Sequence, residues 1–277
     1  MNIEARSFLV IESKLRDAMI DQGRSVHTET WQGMDISSMP AGAMFELLNV
    51  TTSLNLRRIE QLEHWRAELR PNLPWADDHF LERVGGVPLN PPPSWAWWPW
   101  AKSADKFRAS EKFNHTYPER YWPRFAGDRP TGISGPPTGP HQGIRGVYGD
   151  LADVVTLLRQ QPLTRQAYLP IFFPEDTGLG DGGRKPCTLG YHFIMRENLL
   201  HCYYPMRSCD FVRHYRDDVY LTVRLMLWVL EQLRGSAPWD AVMPGSLTMH
   251  TTSLHLFVND MIALRKERDA AIAGALS

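Results

Sequence analysis

The sequence predicts an α+β protein folded as one domain. Its 277 residues are enough to bury a substantial core. Amphipathic helical stretches and alternating, strand-like stretches are interspersed without a repeating βαβ period. No glycine-rich dinucleotide fingerprint links a strand to a helix, which disfavours a doubly wound sheet. A single domain over 1–277 follows, interrupted by an irregular Pro/Gly/Trp-rich segment at about 86–148.

Residues 5–22 place Phe8, Leu9, Ile11, Leu15, Met19 and Ile20 at helical spacing, and Gly23 ends that helix. A second helix is expected over about 54–69, stopped before Pro71, and a third over about 76–84, stopped by Gly85 and Gly86. From 86 onward VPLNPPPSWAWWPW and GDRPTGISGPPTGPHQG carry too many prolines and glycines for long regular elements, and 127–143 reads as a mobile loop. Trp95, Trp97, Trp98 and Trp100 suit either core packing or a platform for a flat aromatic ligand. After Gly149, DLADVVTLLRQQ reads as a helix and AYLPIFF as a short strand. TLGYHFIMRENLLHCYY reads as two strands joined around Glu197 and Asn198. A helix follows over about 217–234, then a strand through GSLTMHTTSLHLFVNDM that passes into a last, charged helix.

Thirty Lys and Arg against thirty-one Asp and Glu leave a net charge of −1, so no overall basic field recruits nucleic acid. Phosphate, if bound, is bound by a few placed arginines. The three cysteines, Cys187, Cys202 and Cys209, lack the spacing of a zinc site or a disulfide framework and are expected as free thiols in a reducing cytoplasm. The amino terminus carries charges throughout its apolar run, and no uncharged stretch approaches the ~20 residues that span a bilayer. A cytoplasmic, unexported protein with no membrane partner is expected.

Cys187, in RKPCTLG, is ambiguous when read alone, since a lone cysteine is more often a small buried hydrophobe than a nucleophile. The cations Arg184 and Lys185 just before it, with Arg207 two strands' length beyond, favour a thiolate. In MRSCDFVRHYRDD, Arg207 and Ser208 pair a guanidinium fork with a hydroxyl, which suits a phosphate monoester, although a charged surface turn has the same composition.

Together these segments resemble the thymidylate synthase superfamily. PCTLGYHFIMRENLLHCYYPMRSCD is similar to the stretch in which Pro-Cys opens a strand pair and Arg-Ser-x-Asp closes it. QQPLTRQAYLPIF resembles the family's Asp-Pro-x-Ser-Arg-Arg segment, and PGSLTMHTTSLHLFVND its Gly-x-x-His-x-Tyr segment, so the resemblance covers about 150–260. It implies a thymidylate synthase-like fold, with a mixed β-sheet core and surrounding helices. It also implies Cys187 as the nucleophile that attacks C6 of a pyrimidine nucleotide, Arg207 and Ser208 on the phosphate, and Asp210 near the pyrimidine and folate. His255 falls on the sugar hydroxyl. Arg165 is expected to reach the phosphate of a partner subunit, hence a homodimer. The cofactor implied is 5,10-methylenetetrahydrofolate. The match of HFLERVGG and HTYPERYW is looser and makes Glu82 the catalytic glutamate, with Glu60 and Glu63 as competitors; a positioned carboxylate relays protons in this chemistry.

Four positions depart from the family pattern: Gln166 for the second arginine, Thr188 for a histidine after the nucleophile, His214 for a glycine, and Phe257 for tyrosine. Asp218 stands where thymidylate synthases read uracil with asparagine. A carboxylate suits the amine-bearing edge of cytosine and repels O4 of uracil. The same replacement characterises phage deoxycytidylate hydroxymethylases, so C5-hydroxymethylation of dCMP is the first expectation. The chain ends about twenty residues after His255, where the synthases continue into a segment that keeps water from the folate site, and this too favours hydroxymethylation over methylation. Methylation of dCMP or dUMP and hydroxymethylation of CMP stay open. So do two other classes: a cysteine hydrolase or transferase using Cys187 with His192 or His201, and a binding protein that kept the scaffold without catalysis.

Overall fold

A computed structural model describes residues 1–31, 34–39, 43–100, 108–109, 111–124, 149–177 and 184–276. The expected loop at 127–143 lies outside the described residues. The fold is α+β. Its main sheet has seven strands in the order β1 (Asn2–Ala5), β5 (Met44–Asn55), β11 (Met243–Phe257), β10 (Leu199–Asp210), β9 (Gly190–Arg196) and β8 (Tyr168–Pro170), with β2 (Arg24–Val26) also pairing with β5. The sheet is mixed: β1 with β5 and β10 with β11 are parallel, and the other pairs are antiparallel. Two small ribbons, β3 (Thr30–Trp31) with β4 (Met34–Asp35) and β6 (Arg108–Ala109) with β7 (Lys112–Phe113), lie apart from it.

One face of the sheet holds the core. Alternate residues, among them Val50, Leu54, Cys202, Tyr204, Leu247 and Met249, are buried there, as period-two side-chain alternation requires. Against them pack α1 (Phe8–Gln22) and α6 (Tyr215–Leu233), the latter contributing Val219, Val223, Met226 and Leu230. The last helix, α7 (Val258–Leu276), packs on α1 and the end of the sheet. The intervening strand residues form polar pairs instead, Thr51 with His250, Ser53 with Thr248 and His201 with Ser246. Among the described residues no helix is long and apolar enough to cross a membrane.

The first helix and its stop at Gly23 follow the sequence reading, as does the hairpin at Glu197 and Asn198. Both turn residues have positive φ, 52° and 56°, which a two-residue turn matching strand twist requires. The helix expected over 54–69 is shorter. Residues 44–55 are a strand, Arg57 and Arg58 turn the chain at φ 53° and 60°, and only then does α2 (Leu62–Leu69) begin. Of the apolar residues of LNL, Leu54 belongs to the end of β5 and Leu56 follows it directly, and both are buried. α3 (Trp75–Val84) lies where expected.

Within the Pro-rich segment, α4 (Tyr117–Tyr121) is started by a capping box between Thr116 and Glu119. It is fixed to the loop after β8 by a buried bidentate pair: Arg120 Nη1 and Nη2 donate to Asp176 Oδ2 and Oδ1 at 2.7 and 2.9 Å. α5 (Leu151–Gln160) is capped in the same way by Asp150 and Asp153. Replacing Asp176 by Ala strands a buried guanidinium and is expected to cost about 3–5 kcal/mol, read as a lower denaturant midpoint with an unchanged slope. An effect below about 1 kcal/mol would show that water reaches the pair.

Candidate active site

A cavity of about 440 Å³ opens where β10 and β11 end and β5 begins. Six of the eight residues expected from the sequence line it: Cys187, Arg207, Ser208, Asp210, Asp218 and His255. Glu82 and Arg165 are not among the described residues of its wall.

Backbone pairing explains how the nucleophile candidate arrives. The segment 187–189 runs along the free edge of β10, with Arg207 N donating to Cys187 O at 2.9 Å and Leu189 N to Pro205 O at 2.9 Å. The Arg207 side chain then fastens the preceding turn, Nε donating to Pro186 O at 2.8 Å and Nη2 to Lys185 O at 2.9 Å. Nη1 donates to Ser208 Oγ at 3.3 Å, and that hydroxyl in turn reaches Cys187 Sγ at 3.6 Å. Part of the guanidinium fork remains for an anion, with Arg184 and Lys185 on the same wall. Cys187 is half-buried, whereas Cys202 and Cys209 are buried, and burial raises both of their thiol pKa values.

Asp210 and His255 are register partners on the parallel pair β10 and β11. The Asp210 carboxylate is engaged inward, accepting from Val212 N and Arg213 N at 3.0 and 2.9 Å and from Arg213 Nη1 at 3.1 Å. It holds the turn that leads into α6. His255 is buried, which lowers its pKa, and its Nε2 has no hydrogen-bond partner among the described residues.

Asp218 lies one turn into α6, facing the cavity. Burial raises its pKa to about 7, against the pull of Arg83 and with the help of Asp217. The carboxyl is therefore close to half-protonated at neutral pH, able to donate through one oxygen and accept through the other.

Glu82, expected from the sequence as the catalytic glutamate, reaches the cavity only through its neighbours. Its carboxylate stands behind the wall, accepting from Ser94 N at 2.6 Å, from the Ser94 hydroxyl, and from His79 Nδ1 at 3.4 Å. Burial alone would raise its pKa, but the bonds from His79 and Ser94 outweigh burial and hold it below its ordinary value. His79 and Ser94 are the residues that line the cavity in its place. Burial, then Arg83, lowers the His79 pKa to about 4, so the imidazole is neutral, with Nδ1 turned to the carboxylate. The signal was present in the sequence as His79 and Glu82 three residues apart on one helix; Ser94, from the Pro-rich segment, was not linked to them. Glu60 and Glu63 are turned elsewhere, to Arg234 and Arg66.

Aromatic rings build the rest of the wall. Trp75 stacks on His79 (5.0 Å, 16°), Trp98 stacks on His214 (5.6 Å, 13°), and Trp95 packs on Phe113 at 4.2 Å. Trp95 and Trp98 thus serve both as packing and as lining, whereas Trp97 is exposed. Burial lowers the His214 pKa to about 3, so its ring is neutral. Thr188, in the place of a histidine, joins Tyr117 and Tyr204 by hydroxyl bonds of 2.9 Å each. Burial and the nearby Asp218 push Tyr117 up to about 12. Tyr117, Arg83 and His115 also line the cavity and were not singled out in the sequence.

His192 and His201, the imidazoles weighed as partners of Cys187, bond to Arg165 O and Ser246 Oγ outside the cavity wall. Arg165 is exposed. Comparison of the chain with models of known families and with curated proteins finds no match to either.

Iodoacetamide at pH 8 is expected to add one carbamidomethyl group to the folded protein, on Cys187, because the other two thiols are buried and held protonated. Peptide mass spectrometry checks this, and first labelling at Cys202 or Cys209 would contradict the burial described.

Proposed function

We propose that this chain is a C5 one-carbon transferase of the thymidylate synthase type, with that family's fold, which hydroxymethylates a cytosine nucleotide 5′-monophosphate. The observation that carries the reading is the meeting of Cys187, Arg207, Ser208 and Asp218, from separate segments, around one cavity. The aromatic wall of Trp75, Trp95 and Trp98 beside neutral His214 fits a flat pterin ring. Bound there, 5,10-methylenetetrahydrofolate supplies a one-carbon unit at the oxidation level of formaldehyde.

The chain's own residues divide the work. Arg207 and Ser208 hold the phosphate and orient the ring over Cys187. The Cys187 thiolate adds to C6, and the displaced π pair makes C5 nucleophilic. His79, aligned by Glu82 and Ser94, exchanges protons with the ring and with water in the cavity. After C5 has taken up the one-carbon unit, its proton passes by way of His79 to water, which leaves an exocyclic methylene at C5. A water molecule then adds to that methylene and gives up a proton to His79, and the methylene π pair moves into the C5–C6 bond as the thiolate leaves.

Asp218 selects the base. With cytosine a single proton can sit on Asp218 or on N3 while the ring amine donates to the second carboxyl oxygen. With uracil, ionisation of Asp218 sets an acceptor against O4. A mispaired buried group costs about 1–3 kcal/mol, or roughly tenfold to hundredfold in preference. A homodimer belongs to the reading. The sheet face opposite the core, with Tyr203 and Tyr168 exposed, suits pairing of two copies, and exposed Arg165 beside it serves the partner's phosphate.

Tritium release from a 5-[3H]-cytosine nucleotide with methylenetetrahydrofolate, joined to a mass gain of CH2O in the product, is the expected result, lost by at least about a thousandfold in Cys187→Ser. A gain of CH2 makes the enzyme a methylase, and release from dUMP alone contradicts the role of Asp218. Binding also has a pH signature. Above about pH 7 free Asp218 is ionised, so a proton must be taken up on binding cytosine, and affinity falls by about tenfold per pH unit. Calorimetry checks this, and Asp218→Asn is expected to be flat over the same range.

A further inference from the structure

A second acceptor stands beside His255. Glu46, from β5, is the register partner of His255 across the antiparallel pair with β11, so the two side chains leave the same face of the sheet with Cβ atoms about 5 Å apart. Ser253, which also lines the cavity, donates its hydroxyl to Glu46 Oε2 at 2.6 Å. The other Glu46 oxygen accepts no hydrogen bond among the described residues. Burial lowers the His255 pKa, against a backbone hydrogen bond at Ser253 that pulls the other way and is therefore one the ring donates. In the uncharged ring Nε2, buried and without a partner among the described residues, is then an acceptor as well.

Two adjacent acceptors at the wall of a cavity require two donors close together. We propose that Glu46 and His255 receive the 2′- and 3′-hydroxyls of a ribose, so that the substrate is a ribonucleotide, CMP in preference to dCMP. The inference rests on the transferase reading and names the sugar of its substrate. A vicinal diol offers two O–H donors at fixed separation, and a carboxylate on a ribose 2′-hydroxyl is a recurrent pairing. A 2′-deoxy sugar satisfies only one acceptor and leaves the other desolvated and unpaired. Phe257 supplies no hydroxyl of its own, so the sugar contact falls to this pair. Glu46 is a specificity residue on this view and takes no part in bond making.

Calorimetric titration of the full chain with CMP, dCMP, UMP and dUMP, without folate, tests the assignment. CMP is expected to bind about tenfold to hundredfold more tightly than dCMP. Glu46→Gln, whose amide can still bond Ser253, is expected to narrow that ratio to about threefold or less, chiefly by weakening CMP. Equal or tighter binding of dCMP by the unaltered chain overturns the proposal while leaving the transferase reading intact. A ribose preference seen only among uracil nucleotides upholds the sugar assignment and sinks the cytosine one. Failure to bind any of the four overturns both.

Discussion

Hydrogen bonding along both edges of β10 holds the site together. On one edge the parallel pairing with β11 sets Ser208 beside Ser253 and Asp210 beside His255. On the other, Arg207 N bonds Cys187 O, and the Arg207 guanidinium ties down the carbonyls of Lys185 and Pro186. A slip of one residue on either edge would turn the whole set to the opposite face of the sheet. The core beneath prevents such a slip, because Cys202, Tyr204 and Met206 on β10 and Leu247 and Met249 on β11 are all buried. Reactive groups at the strand ends are thus positioned by apolar packing further along the same strands.

The electrostatics of the cavity follow from the burial of the groups that line it. Desolvation raises Asp218 to about 7 and lowers His79 and His214 to about 4 and 3. These two imidazoles are neutral and the Asp218 carboxyl can keep its proton. Fixed cations, Arg83, Arg184 and Arg207, share the wall. The site therefore offers positive charge to a phosphate and neutral hydrogen-bonding groups to a base and a sugar.

The carboxy-terminal half of the site was legible because its residues lie in short segments with strong local signals. The alternation of 190–210, the turn at Glu197 and Asn198, and the helix that places Asp218 all follow from local periodicity and turn chemistry. Long-range contributions were hidden. Glu82 reads as a helical carboxylate, and its screening by His79 and Ser94 depends on how the Pro-rich segment folds back on α3. β5 was missed in part because LNL could continue an apolar helical pattern, and with it went the pairing of Glu46 to His255. Tyr117 and Arg83 enter the wall through tertiary packing of α4 on α3, which no local window reports.

The central claim is that Cys187 forms a bond to C6 of a cytosine nucleotide held in this cavity. A 5-fluorocytosine nucleotide tests it directly, since C5 bearing fluorine cannot lose a proton and the adduct cannot proceed to product. Intact-protein mass spectrometry after incubation with that nucleotide and methylenetetrahydrofolate is expected to show a gain of one nucleotide plus one folate, mapped to the peptide containing Cys187 and absent in Cys187→Ser. No adduct at Cys187, or an adduct with a 5-fluorouracil nucleotide alone, would contradict the account.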